Sequence, residues 1–412
     1  MVPTTGDNGA RLAAILPSGL SAMARGIGID PAEALSGWIG APRAAAASAL
    51  DAAQLPPVRS FVMVVVDGLG HANLGARIGH APNIAAMQRK RIETVCPSTT
   101  GAALTTLTTG RLPGAHGLIG YRIMHPEHGL LTTLTDWEGI PNRREWQLCP
   151  PLFGAVRDLA AQDLGARAVA IGRPAHASGG LTEAILAGAE YVSGQRIADR
   201  FAAASAAVRV GEPLLAYVYV DELDRAAHKE GWQSDAWVRR LEQLDEALGD
   251  FLRSLPGDVG VVLTADHGMV DVAEHQRLML DDHPFVAAGV RDFGGEPRFR
   301  SLFLADGVDP GSFAAELAAA EGQRAWVATR DEAIASGMFG PLAPGVAERL
   351  GDVLIGAKKQ VAYYAASDSP QALDMVGQHG ALTEEERGVP LALAGAFAGS
   401  GFASAVAKLA AA

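Results

Sequence analysis

The chain has 412 residues, of which 49% are hydrophobic and 19% charged. That is enough apolar material for a sizeable core and argues against disorder. Lys and Arg number 34 against 46 Asp and Glu, a net charge of −12, which argues against binding a nucleic acid polymer, since such proteins meet phosphates with Lys and Arg. The two cysteines, Cys96 and Cys149, are too few for a disulfide scaffold and fit no zinc knuckle, so both read as reduced thiols.

In chain order, the apolar run Leu12 to Leu16 is short, follows Asp7 and stops at Pro17, unlike a secretory signal. Residues 1–55 read as an N-terminal extension packed on the core. Three apolar runs then end in acids. Phe61 to Val66 leads into Asp67-Gly68, Leu214 to Val220 into Asp221 and Asp224, and Val259 to Thr264 into Asp266-His267-Gly268. Continuous β-branched runs of this length are what strands buried on both faces look like. Helical spacing appears between them, over Pro151 to Gln162 and over Ala236 to Ser254 with Leu241, Leu244, Leu248 and Leu252 on one face.

Strands alternating with helices imply an α/β fold, a mostly parallel central sheet flanked by helices on both faces. Ligands in such sheets sit beyond the carboxyl ends of the strands, where these acids fall. The stretch 282–370 carries strand and helix signals of its own (Phe299–Leu304, Phe313–Glu321, Val353–Ile355, Val361–Tyr364) and reads as an inserted α+β cap. Residues 56–281 and 371–412 then form the core. From Pro390 onward the chain reads as a closing strand and a loose tail, too weakly apolar to span a membrane. These features describe a cytoplasmic protein with no membrane partner, and they leave its oligomeric state open.

Asp67, Asp224, His228, Asp266, His267 and His379 supply three carboxylates and three imidazoles, most of them at or just past strand ends. Asp224 and His228 share one helical face, one turn apart. Carboxylate–imidazole shells suit Zn²⁺ or a similar first-row ion. Six such groups exceed what one tetrahedral ion needs, so they imply two ions close together. Pro97-Ser-Thr-Thr100-Gly offers hydroxyls at a helix N-terminus, where free N–H groups favour a phosphate. An N-cap cluster would have the same composition.

These motifs, in this order, resemble the alkaline phosphatase superfamily in its type I phosphodiesterase/nucleotide pyrophosphatase branch, over Phe61 to about Pro390. The resemblance rests on Val-Val-Asp67-Gly, on Pro97-Ser-Thr-Thr100 with Pro113-Gly-Ala-His116-Gly117, on Asp221-Glu-Leu-Asp224 with His228, on Thr264-Ala-Asp266-His267-Gly, and on Gly377-Gln-His379-Gly. It implies that Asp224, His228 and His379 hold one ion, and that Asp67, Asp266, His267 and the Thr100 oxygen hold the other. Zinc is the implied metal, with manganese or iron as alternatives. Thr100 would be the nucleophile, Thr99 the runner-up, and a phosphothreonine the intermediate.

The implied activity is hydrolysis of small phosphodiesters or nucleotide-type pyrophosphates. A phosphomonoesterase, phosphonate hydrolase or phosphomutase on the same scaffold is the alternative, and an inactive metal-binding sensor is the rival of another class. Diesterases of this branch commonly carry an Asn after the nucleophile to contact a phosphate oxygen. Here no Asn follows Thr100 closely and Ala103 stands in the stretch, so the candidates to substitute for it are the backbone N–H of Gly101, Thr106, Tyr121 and Arg122, which the sequence does not rank. Asp136-Trp137 could stack a base, although a buried tryptophan is the commoner case.

Overall fold

The computed structural model describes residues 6–161 and 165–412. Seven strands form the central sheet: β1 (Ser60–Val66), β2 (Gln88–Glu93), β3 (Arg167–Gly172), β4 (Glu190–Ser193), β5 (Leu214–Val220), β6 (Val259–Thr264) and β7 (Gly388–Gly395). Their order is β2-β7-β6-β1-β5-β3-β4. β1 is central and parallel to β5 and β6, with Val66 opposite Val220 and Val65 opposite Thr264. β7 runs antiparallel to its neighbours β6 and β2. Every residue of β1 and β6 is buried, as their unbroken apolar runs require of strands covered on both faces. The expected α/β class with a largely parallel sheet is the observed one.

Three helices precede the sheet: α1 (Ala10–Gly26), α2 (Pro31–Ile39) and α3 (Ala41–Ser48). Within the core come α4 (Thr100–Thr109), α5 (Phe153–Leu159), α6 (Gly180–Ile185), α7 (Ile197–Arg209), α8 (Glu222–Glu230), α9 (Asp235–Arg253) and, last, α10 (Phe402–Ala411). The helix expected from Pro151 is shorter than its pattern, and Gln162 lies outside the described residues. α9 matches its leucine spacing within a residue at each end.

Both terminal regions hold more helix than composition suggests. The apolar run from Leu12 ends at Pro17, but the helix does not: α1 continues through the proline to Gly26. Proline lacks the N–H that would bond the Ala13 carbonyl, and Arg43 Nη2 donates to that oxygen instead, at 3.3 Å. Nor is the C-terminal tail loose. Phe402, Ala405, Val406 and Leu409 form the buried face of α10, which packs on α1. Their helical spacing is diluted by alanine and serine, which is why composition alone misleads there.

Strands Val290–Glu296, Phe299–Leu304, Val353–Ala357 and Ala325–Thr329 form a separate antiparallel sheet, paired in that order. With the helix Pro310–Glu321 it buries Leu302, Phe313, Leu317 and Ile355 in a core of its own. Its first strand ends at Glu296, which reaches the cavity described next.

Candidate metal centre

The residues singled out in the sequence come from four separate stretches and meet at one end of the sheet. Asp67 directly follows β1, and its N–H bonds the Val220 carbonyl at 2.9 Å. Asp224 and His228 face each other across one turn of α8, Oδ1 to Nε2 3.3 Å. Gly68, at φ +70°, lets this turn approach: a Cβ there would lie 3.1 Å from the Asp224 Cα. Asp266 and His267 follow β6, where the chain turns sharply enough to aim both side chains inward. Gly268 makes that turn possible, since a Cβ on it would strike the Glu385 carbonyl at 1.9 Å. Asn73 holds the next residue by bonding both the N–H and the carbonyl of Met269. His379 is carried in by a bridge between Ser98 and Gly380, which also fixes it beside the start of α4.

Mutual distances separate the donors into two groups, each with ligand atoms within 4.8 Å of one another: Asp224, His228 and His379, and Asp67, Asp224 and His267. The first is the set expected for one ion. The second differs from expectation, because Asp224 belongs to both groups and Asp266 stands slightly back, its Oδ2 3.6 Å from His267 Nε2. Asp67 Oδ1 lies 3.3 Å from that same nitrogen. The rings of His267 and His379 stack with centroids 3.6 Å apart.

Each histidine directs Nδ1 at a backbone carbonyl: His228 at Gly377 and His379 at Ser98, both 2.8 Å, and His267 at Gly268, 3.0 Å. A carbonyl only accepts, so Nδ1 carries a proton and Nε2 is the nitrogen turned toward the cluster, the usual preparation of a metal ligand. Asp67 Oδ1, Asp224 Oδ1 and Asp266 Oδ2 are buried without a hydrogen-bond partner. Burial, followed by the neighbouring Asp67 charge, pushes both Asp224 and Asp266 well above the usual carboxylate range. For His267 burial acts downward, but Asp266, Asp67 and Asp224 overcome it and push the imidazole up to about 10. Orphaned carboxylate oxygens and a histidine this eager for charge are the marks of a donor set that divalent cations fit.

Thr100 opens α4 and its Oγ1 lies 3.2 Å from His267 Nε2. Thr99 occupies the N-cap position, yet its hydroxyl does not cap the helix. An ordinary N-cap cluster would have consumed first-turn N–H groups, and here they remain available to an anion.

A cavity of about 590 Å³ opens over these residues. Of the four expected phosphate contacts, Tyr121 lines it, whereas Gly101, Thr106 and Arg122 do not. Thr106 points away and its hydroxyl pairs with His116 Nε2 at 3.0 Å. Gly101 offers only its N–H, its α-carbon being packed toward Thr133. Ala103 is fully buried and also absent from the cavity wall. Trp137 is buried, with its indole N–H on the Thr133 carbonyl, so it does not stack a ligand.

Sequence reasoning missed two contributors, Tyr219 and Glu296, and gave no role to a third, Asp221, although it placed that acid at a strand end. Tyr219 donates its hydroxyl to Asp67 Oδ2, and burial together with Asp67 keeps that phenol protonated. Glu296 enters from the inserted sheet, 3.6 Å from His379 Nδ1, and burial pushes its carboxyl up to about 8 although His267 acts the other way. Asp221 accepts from Arg173 and His176 at 3.1 and 3.2 Å, and despite burial these bonds hold its carboxyl well below the usual range. The alternation of β5 could have signalled Tyr219, which shares a face with Tyr217.

The fold is that of known hydrolases. Murine ectonucleotide pyrophosphatase/phosphodiesterase 5, solved as an inactive variant with AMP, is 17% identical with a TM-score of 0.61, covering 81% of this chain and 87% of that one. Phosphonoacetate hydrolase from Sinorhizobium meliloti 1021, solved with phosphonoformate, is 20% identical with a TM-score of 0.62, covering 85% and 96%. No curated protein matches the sequence. Among the described residues, no helix is long and apolar enough to cross a membrane. The family model for type I phosphodiesterase/nucleotide pyrophosphatase matches residues 61–382, and the chain accordingly belongs to that family of alkaline phosphatase-like hydrolases.

Proposed function

We propose that the protein is a cytoplasmic, two-metal-dependent phosphohydrolase that cleaves small phosphodiesters or nucleotide-type pyrophosphates through a phosphothreonine on Thr100. The observation that carries this reading is the pair of donor groups sharing Asp224, with buried unpartnered oxygens, beside a helix-terminal threonine. Asp224, His228 and His379 would hold one ion, and Asp67, Asp266, His267 and Thr100 the other, with Asp224 within reach of both donor groups and zinc the expected metal, manganese or iron being alternatives. Bound there, the pair supplies Lewis acidity, acidifying the Thr100 hydroxyl and offsetting charge on the phosphoryl oxygens.

The chain's own residues do the rest. Free N–H groups in the first turn of α4 and the Tyr121 side chain, the donor best placed to replace the missing amide, orient the phosphoryl oxygens. Thr100 Oγ1 attacks phosphorus in line and the ester oxygen departs opposite it, leaving phosphothreonine. Water then attacks from the vacated side, and two inversions retain configuration. Tyr219 and the three carbonyl-anchored histidines fix the ligand orientations, while the 282–370 segment serves as a cap contributing Glu296.

A second reading, phosphonate hydrolysis, is favoured by the absence of the Asn typical of the diesterases and by the likeness to phosphonoacetate hydrolase. Thr100→Ala tests the nucleophile. The variant should keep fold and metal content but lose turnover of bis(p-nitrophenyl) phosphate. Full activity in Thr100→Ala would refute the assignment, and monoester turnover exceeding diester turnover by orders of magnitude would overturn the diesterase reading.

A further inference from the structure

Away from the ligand cluster the cavity wall is mainly apolar, interrupted by Thr135, His176, Thr182 and Tyr191, and it is continuous with the site. Leu104 lies one turn beyond Thr100 on the same face of α4, and Leu134, Ile171, Leu181, Ile185 and Tyr217 extend that wall toward α6. The lobe is held rigidly. Tyr217 stacks beside Tyr219 with centroids 6.2 Å apart and meets Phe153 edge-on at 6.2 Å. Behind α6, Gly180 is pressed so closely on Trp137 that a Cβ would fall 2.2 Å from it.

Among the described residues no lysine lines the cavity, its one arginine, Arg225, is exposed, and His176 is taken up by Asp221. The other ionisable side chains facing the interior include Asp67, Asp221, Asp224 and Glu296, with His228 and His379 of the ligand cluster. An acidic substituent on the substrate would be desolvated there without a partner, which is costly.

We infer that this lobe is a specificity pocket for an uncharged apolar group carried on phosphorus, a phenyl or branched alkyl substituent. The inference rests on the phosphohydrolase reading and names the class of substrate: aryl or alkyl phosphate and phosphonate esters. Each methylene buried in such a lobe strengthens binding about fourfold.

The experiment measures dissociation constants by calorimetry on the full, metal-supplemented chain. The probes are methyl-, butyl- and phenylphosphonic acid, and phosphonoacetic acid, which places a carboxylate in the lobe. Hydrolysis of bis(p-nitrophenyl) phosphate is followed in parallel. Affinity should rise about fourfold per methylene and roughly a hundredfold from methyl to phenyl, with phosphonoacetic acid no tighter than methylphosphonic acid. A flat series, or phosphonoacetic acid binding tightest, overturns the pocket even if the diester is hydrolysed. Failure of every phosphonate to bind together with no hydrolysis overturns the phosphohydrolase reading itself. In Ile185→Trp the phenyl-to-methyl affinity ratio should collapse toward one, and an unchanged ratio removes the pocket from this place. Should that variant not fold, Leu181→Asn makes the same comparison.

Discussion

At the scale of single residues, what distinguishes this site is how much of it is held by groups that never touch a substrate. Tyr219 orients Asp67 through Oδ2, leaving Oδ1 directed at His267. Tyr219→Phe should therefore weaken metal affinity about tenfold to a hundredfold, as loss of such outer contacts does, and a metal titration by calorimetry reads this directly. Tyr121 has the opposite character, since it faces the cavity itself. Tyr121→Phe should lower kcat by about a hundredfold while metal content stays unchanged, the effect of losing one preorganised donor. An unaltered kcat would remove Tyr121 from phosphate binding. The six candidate ligands were legible because acids at the ends of β-branched runs and an Asp and His four apart are local patterns. Tyr219 and Glu296 were not, because their relevance depends on which strand lies beside β1 and on an inserted sheet folding back over the site.

At the scale of elements, helix α4, which begins at Thr100, is pinned from behind. Thr106 bonds His116, whose Nδ1 accepts from the Leu118 N–H. Burial lowers the His116 imidazole to about 3, so the folded chain keeps it neutral while the unfolded chain protonates it near its ordinary value. Unfolded chains thus bind an extra proton below about pH 6.5, and stability falls as pH drops toward 5, by about 1.4 kcal/mol per unit. Urea denaturation between pH 7 and 5 should show a shallower slope for His116→Gln than for wild type, and equal slopes would contradict the assignment.

Arg43 does comparable work between helices. Its guanidinium bonds the carbonyls of Ala13, Gly110 and Leu409, joining α1, the end of α4 and α10. Arg43→Met strands three carbonyls and should cost about 2–4 kcal/mol in a denaturation experiment. That role was illegible in the sequence, because it follows from a proline inside α1 and from a terminal helix whose apolar spacing is masked by alanine.

For the whole molecule, the largely parallel sheet was the part that local patterns carried furthest: buried strands announce themselves by unbroken Val and Leu runs, and acids at their ends announce the rim. What joins the rim into one site is long-range. β1 carries Asp67, β6 carries Asp266 and His267, and β5 leads into the helix bearing Asp224 and His228, while His379 arrives only through the Ser98–Gly380 bridge. Four segments, three of them bringing carboxylates that repel one another, close to the same point, so cations there should stabilise the entire fold. Removing metal with a chelator should lower Tm by several degrees, by the linkage between ligand binding and folding, and re-addition should restore it.

The most direct test of the account is the metal content of the purified chain, measured by elemental analysis after exhaustive dialysis against metal-free buffer, for wild type and for Asp224→Ala. Because Asp224 belongs to both donor groups, wild type should retain about two divalent ions per chain and Asp224→Ala should lose both. A wild-type protein that binds no divalent ion even when supplied with zinc, manganese or iron, or an Asp224→Ala variant that keeps the full complement, would contradict it.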